Sequence, residues 1–522
     1  MINKKPGVLT SLAPILLMTI ALFCTPLAQA EPTLDVSHYV IEGVSPLSDT
    51  ETAAILAPYT GEKLTLAQIE QAANALEKAF RDRGLVFYRV FVPAQKPRTG
   101  EVILQITSFS IGNIKITGNE HFSEENIRRS LPSLQEGETP DVHTLGKDLT
   151  IANTNPAKQV VVNFREGQQA NTIDSEIRVK DINPLSLFVG YSANRSFAPL
   201  REGEDIYRMT FTAQHSNLFN RDHVGTLSYS TDPGDVSKVT LLGAYYQAPL
   251  YGTGINISGY FIHTDVSTGN IQQGGGFFDV SGSGDFFGVR VASALAPIGN
   301  IHQTVGVALD YRHFENSTTF NGVQIQPNVG SLPLSVTYTL REEKPWGGYA
   351  GSVEYAVNLG AGAANNNDAH TANGGDYHWS AWRYSADASL VKADWLFTAK
   401  LRGQWTSDRL IPGEQFGLGG ANSVRGFSDR EVTGDYGFLV NLDAVGPQML
   451  LPNLKPVVFV DGGQAHSKIS DHTEGLLSIG AGLRWSFQHL ETSLDVAHAL
   501  DKNGQNPDSI SSRLHFSAIY RF

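Results

Sequence analysis

The stretch LSIGAGLRWSFQ, residues 477–488, sets Leu477, Ile479, Ala481, Leu483, Trp485 and Phe487 against Ser478, Gly480, Gly482, Arg484, Ser486 and Gln488. A period of two marks a strand whose faces meet different surroundings. The same alternation sets Phe397, Ala399, Leu401 and Trp405 against Thr398, Lys400, Arg402 and Gln404. It also sets Val353, Tyr355, Val357 and Leu359 against Glu354, Ala356 and Asn358. From residue 183 to 522, strand-like segments follow one another with Gly, Asn and Asp between them. A soluble sandwich alternates too, but this region is long for one. Lipid on one face and a wet lumen on the other fits better, because strands cross hydrocarbon only as a closed barrel of strands about ten residues long. Divided among 16 antiparallel strands, the region leaves about 21 residues for each strand and its connection.

The last strand supports a membrane barrel. Leu514, Phe516, Ala518, Tyr520 and Phe522 share one face, opposite His515, Ser517 and Arg521. An unpaired edge is not tolerated in hydrocarbon, so this strand must close the barrel.

The first thirty residues read as a cleavable export signal. Lys4 and Lys5 precede an apolar run from Leu12 to Cys24, and Ala28-Gln29-Ala30 has the small-x-small pattern of a cleavage site. The run is shorter than the ~20 residues of a spanning helix. Phe23 is too bulky for the position before a lipid-bearing cysteine. Cys24 is the only cysteine of the 522 residues, so the mature chain, starting near Glu31, carries no disulfide. The formal charge of −13 becomes more negative when the two lysines leave, which argues against nucleic acid as a partner.

Residues 31–182 have a different grammar. Thr65-Leu66-Ala67-Gln68 is a capping box, after which Ile69, Ala73, Leu76 and Phe80 fall on one helical face and Gly84 ends the helix. Strands are predicted near Val86–Val92 and Val102–Ile106, with an earlier one in HYVIEGV (38–44). The β-α-α-β-β order recurs: IGNIKITGN (111–119) is a strand, and Ser123 caps a helix carrying Glu124 and Glu125 in its positive first turn. A helix near Thr144–Asn153 and the strands QVVVNFREG (159–167) and SEIRVKDI (175–182) follow. The expected parts are a leader 1–30, α+β modules 31–108 and 109–182, and a barrel 183–522.

Two further stretches bear on function. LGGANSVRGF (418–427) is a Gly-rich run between strands, and KPVVFVDGG (455–463) is a strand in which Val458 and Val460 face lipid. Phe459, Asp461 and Gly463 then face the lumen, the one tolerable direction for a carboxylate at membrane depth. The glycines beside Asp461 leave room for a close approach.

Together SVRGF (423–427) and FVDGG (459–463) resemble the paired motifs of the two-partner secretion transporters, the TpsB or haemolysin-activator family, relatives of the BamA assembly barrels. The α/β repeats resemble that family's POTRA domains: GLVFYRVFVPAQ (84–95) and GEVILQI (100–106) suit the end of the first, and IGNIKITGNEHF (111–122) opens the second. The resemblance covers nearly the whole mature chain. It implies an outer-membrane pore that captures an unfolded exoprotein through periplasmic POTRA domains and translocates it without ATP. It implies that a loop near 411–436 folds into the pore, with Val424, Arg425, Gly426 and Phe427 at its tip and Arg425 paired to Asp461 on the wall beside Phe459 and Gly463. It also makes Tyr520 and Phe522 the signal read by the barrel assembly machinery. The chain departs from the family in two ways. The first strand-like segment starts soon after the cleavage site, so the N-terminal plug helix of many members is expected to be absent. Ala193-Asn194 stands where an Asp-Asn pair is usual.

The expected partners are a secreted exoprotein, outer-membrane lipid and the assembly machinery, with the chain working as a monomer and no cofactor or metal. An outer-membrane assembly factor is the alternative, and it would carry more POTRA domains. No G-x-x-x-x-G-K-[ST], G-x-S-x-G or H-E-x-x-H occurs, so no enzyme is expected. The run AGAANNNDAHTANGGD (361–376) lacks the closing Glu of a calcium loop and reads as a flexible surface loop with solvated His370 and, just beyond it, His378. Trp346, Trp379 and Trp382 are expected near membrane interfaces. Lumenal Lys400, Arg402 and Arg484 read as solvated wall or as a guide for a polypeptide.

Overall fold

The computed structural model describes residues 33–96, 100–197, 205–236, 241–265, 268–273, 276–316, 319–320, 323–324, 326–502 and 512–522. The export signal and the question of a plug helix lie outside the described residues.

The first module runs β1 (Thr33–Glu42), α1 (Asp49–Leu56), β2 (Gly61–Thr65), α2 (Leu66–Asp82), β3 (Tyr88–Phe91), β4 (Gly100–Ser108), in the sheet order β2-β1-β4-β3. The Thr65 hydroxyl accepts from Gln68 N at 3.3 Å and Gln68 Oε1 accepts from Thr65 N at 2.9 Å, closing the capping box. Ile69, Ala73, Leu76 and Phe80 are all buried. The short β2 is absent from the β-α-α-β-β expectation. Its residues, GEKLT, carry little apolar signal, and only pairing with β1 makes them a strand. Helix α1 has its own capping box, Ser48 with Glu51.

The second module runs β5 (Ser110–Thr117), α3 (Glu124–Ser130), α4 (Val142–Ala152), β6 (Lys158–Glu166), β7 (Thr172–Asp181), in the sheet order β5-β7-β6. Ser123 caps α3, accepting from Asn126 N at 3.1 Å. Ile114, Phe122, Ile127, Leu131, Leu145 and Ile177 share one core.

Sixteen antiparallel strands then close a barrel. Seventeen segments reduce to sixteen strands because Val329–Ser331 and Pro333–Lys344 are one strand interrupted at Leu332, both halves pairing with His302–Phe314. Pro333 lacks an N–H and begins the second half, where a proline is tolerated in a sheet. The last strand, Ser512–Arg521, pairs with the first, Leu185–Ser196, placing Phe516 opposite Ala193 and Tyr520 opposite Val189. The alternation sorts as expected: Val458, Val460, Leu477, Ile479 and Phe487 point outward and are exposed, whereas Phe459, Asp461 and Ser478 are buried on the inner side.

Two expectations are corrected. The run 361–376 holds a short helix, Asn367–Ala372, capped by Asn366, and His370 is fully buried rather than solvated. Its Nε2 lies 2.9 Å from Gly330 O and 3.0 Å from Asn365 Oδ1, and burial holds its pKa below the ordinary imidazole value. Periodicity could not show this, because Asn365 lies in an irregular turn of the same run and Gly330 on a barrel strand remote in sequence. Trp379 is also buried, against Ala356, Ala381 and Leu410, whereas Trp346 and Trp382 are exposed. His378 is exposed as expected.

Candidate functional site: an arginine loop inside the barrel

The connection 406–435 turns back into the barrel. It forms a small hairpin of Phe416–Leu418 against Val432–Gly434. Its apolar side chains Leu418, Val424 and Phe427 pack on Leu439, Ala465, Leu476 and Ala499 of the inner wall. An apolar cluster inside a wet lumen removes water from around the loop tip, so polar contacts there are screened less.

Arg425 sits in that dry zone, with its side chain 7% exposed. Its Nε is 2.6 Å from Asp461 Oδ2 and its Nη2 is 2.8 Å from Asp461 Oδ1, a bidentate fork. Nη2 also donates to Asp443 Oδ1 at 2.6 Å, and Nη1 reaches Asp495 Oδ2 at 3.4 Å. The guanidinium carbon lies 3.4 Å from the centre of the Phe459 ring, so the cation is stacked as well as paired. Three carboxylates around one guanidinium would repel one another without other donors. Asn441 donates to Asp461 at 2.8 Å, and Arg484 donates to both oxygens of Asp495 at 2.6 and 2.8 Å. Asn441 also holds Ser423 O at 2.7 Å, so one amide ties the loop backbone to the wall.

Backbone geometry explains the neighbouring residues. Gly426 has φ +95°, and a Cβ there would lie 3.4 Å from Ala497 Cβ. The left-handed conformation asks for glycine, while the Cβ itself would meet only ordinary contacts. The Gly426 N–H donates to His515 Nε2 at 3.1 Å. A Cβ on Gly463 would come within 2.5 Å of Phe438 O on the neighbouring strand as well as 2.8 Å of Leu418 Cδ2 in the hairpin, so the wall needs glycine here first for its own backbone.

The structure thus brings Val424, Arg425, Gly426, Phe427, Phe459, Asp461 and Gly463 together. Tyr520 and Phe522 lie apart from them, exposed on the last strand. Asp443, Asp495 and Asn441 belong to the same cluster and went unread in the sequence. Their signal was available, since alternation puts Asn441 and Asp443 on the inner face, and Asn441 stands directly opposite Asp461. Arg484 is committed to Asp495 rather than free in the lumen.

A second polar cluster joins the second module to the barrel. Lys158 Nζ lies 2.6 Å from Asp222 Oδ2 and 2.9 Å from Asn126 Oδ1, with the Lys158 and Asp222 side chains 0% and 1% exposed. Tyr251 OH donates to Asp222 at 2.5 Å, and Asn126 Nδ2 donates to its other oxygen at 3.0 Å. Arg129 adds a bond to Asn220 O at 2.8 Å. Asp222 sits in a tight barrel turn where Phe219, Asn220 and Asp222 all have positive φ. Burial lowers the pKa of Lys158, and Asp222 works against that shift.

Comparison with known proteins agrees with this architecture. Residues 34–108 match the POTRA domain of ShlB type, and residues 201–485 match the haemolysin secretion/activation protein family ShlB/FhaC/HecB. The chain is 21% identical over 487 residues to the heme/hemopexin transporter protein HuxB of Haemophilus influenzae, covering 88% of this chain and 82% of that one. It is 21% identical over 485 residues to the outer membrane transporter CdiB of Escherichia coli, covering 88% and 78%. The fold resembles the solved structure of CdiB from Escherichia coli, with TM-score 0.74, 17% identity and coverage of 95% and 92%. CdiB from Acinetobacter baumannii gives TM-score 0.69 at 16% identity, covering 97% and 93%. With more than half its length inside the family match, this chain belongs to the ShlB/FhaC/HecB haemolysin secretion/activation family, the two-partner secretion transporters of the outer membrane.

Proposed function

We propose that this chain is a stoppered conduit. It takes an unfolded exoprotein from its POTRA modules and passes it through the barrel to the cell surface or medium. The barrel lies in the outer membrane with the POTRA modules on the periplasmic side. The observation that carries the reading is the loop 406–435 held in the lumen by the bidentate Arg425–Asp461 pair. A loop that only decorated the surface would not need its arginine buried among carboxylates.

The working parts are a leader 1–30, modules 31–108 and 109–182, and the barrel 183–522. Each module offers sheet edges to which an extended chain adds as a strand, β2 and β3 in the first and β5 and β6 in the second. Such addition binds through the main chain with little sequence demand, which suits an unfolded client. No nucleotide is needed, because folding of the cargo outside supplies the drive. One copy suffices, since the lumen and its loop belong to one chain.

Planar-bilayer recording tests the stopper. A variant lacking residues 420–430 should conduct well above the intact protein. Equal conductance would mean that something else fills the pore.

A further inference from the structure

The loop touches the wall at a second place, far from its tip. Glu414 lies on the stem that leads into the hairpin, and its side chain is fully buried. Its Oε2 accepts from Arg312 Nη1 at 2.7 Å and from Arg383 Nη2 at 2.8 Å, and its Oε1 accepts from Ser331 Oγ at 2.6 Å. Its backbone oxygen takes a further bond from Gln404 Nε2 at 3.0 Å. These partners come from four barrel strands, His302–Phe314, the strand containing Ser331, Ser380–Lys392 and Trp395–Trp405. They are separate from Tyr436–Val445, Leu454–Ser467 and Leu490–Lys502, the strands that hold Arg425.

A buried carboxylate survives only when it is paired and fully hydrogen-bonded, and Glu414 meets that condition wholly through the wall. The two docks have opposite polarity. At the tip, a cation of the loop enters an anionic wall; at the stem, an anion of the loop enters a cationic one. The cationic dock is also satisfied without the loop. Arg312 has Asp310 at 3.3 Å, and Arg383 has Glu354 at 3.2 Å and Gln404 Oε1 at 2.9 Å. When Glu414 withdraws, neither wall arginine is stranded, so the contact can break and re-form.

We propose that Glu414 is a positioning residue of the gate, a second anchor that pins the stem of the loop while Arg425 pins its tip. The assignment rests on the loop's role as a stopper and adds a residue that acts independently of the Arg425 cluster. Displacing the loop then means breaking two pairs on two different sets of strands.

The test is single-channel recording on the full-length protein with heat-dependent gel mobility as a check of barrel assembly. Glu414→Gln keeps the size of the side chain and removes its charge, and it should raise the open fraction about tenfold while the barrel stays heat-modifiable. A merely structural glutamate would lower heat resistance and leave the open fraction of assembled barrels where it was, which would overturn the proposal. Should Glu414→Gln fail to insert, Arg383→Lys keeps the wall charge, loses the planar fork and carries the same expectation. If Arg425→Ala opens the channel and neither stem variant does, the second anchor is wrong and the stopper stands. If none of the three changes the open fraction, the stopper reading falls with it.

Discussion

Arg425 shows what a single side chain contributes when its surroundings are dry. An exposed arginine pairing with a nearby acid would be worth about 0–1 kcal/mol. Buried, with a fork to Asp461 and a ring beneath it, its removal leaves carboxylates without their counter-ion, which typically costs about 3–5 kcal/mol. Arg425→Ala and Asp461→Ala should therefore each impair secretion, and the double variant should be less damaging than the two effects added. Secretion assays on matched amounts of assembled barrel check this, and additive losses would count against a shared role. The pair was legible because SVRGF and FVDGG resemble the paired motifs of the family, while alternation by itself placed only Asp461 on the lumenal face. Its company was less so. Asp495 reaches Arg425 from a strand outside either motif, and Glu414 reads as an ordinary loop acid until the fold brings two arginines to it. Side-chain neighbours across a sheet depend on strand register, and register emerges only when the strands pair.

Among the elements, those read best had local causes. Thr65 and Ser123 begin helices because their hydroxyls satisfy orphan N–H groups, and that chemistry is written within four residues. The helix Asn367–Ala372 has a local cap in Asn366 but was missed because it is too short to show a period, and the burial of His370 depends on Gly330 of a barrel strand remote in sequence. The junction between the second module and the barrel was missed too, because Lys158 and Asp222 are 64 residues apart. Its prediction belongs at this scale. Lys158→Met leaves Asp222 buried with neutral partners only, at a cost of about 3–5 kcal/mol, whereas Lys158→Met with Asp222→Leu removes both charges and should cost less. Limited proteolysis between Asp181 and Leu185 reports the loosening. The single variant should be cut faster than the double, and equal rates would show that the ion pair does not hold the junction.

At the scale of the whole molecule, alternation marked a membrane barrel and the length of residues 183–522 accommodated sixteen strands, since membrane thickness bounds what one strand must span. The negative net charge has the wrong sign for a surface that binds nucleic acid. Deleting either POTRA module should abolish secretion while leaving a heat-modifiable barrel in the outer membrane. Normal secretion by such a variant would remove capture from the modules' role.

The seam between the first and last strands also imposes an order in time. Arg521 donates to Ser186 across a separation of 335 residues, and the Phe522 N–H donates to Leu187 O. Ribosomes deliver Leu185–Ser196 long before Ser512–Arg521, so the first strand waits with one edge bare until nearly the whole chain has crossed the inner membrane. Assembly is therefore obligatorily post-translational, and the waiting edge is a site for mispairing that must be shielded throughout. Contacts this distant also make closure slow compared with the formation of any neighbouring hairpin. A chain interrupted anywhere before Ser512 is left with two open edges and no route to a sealed wall.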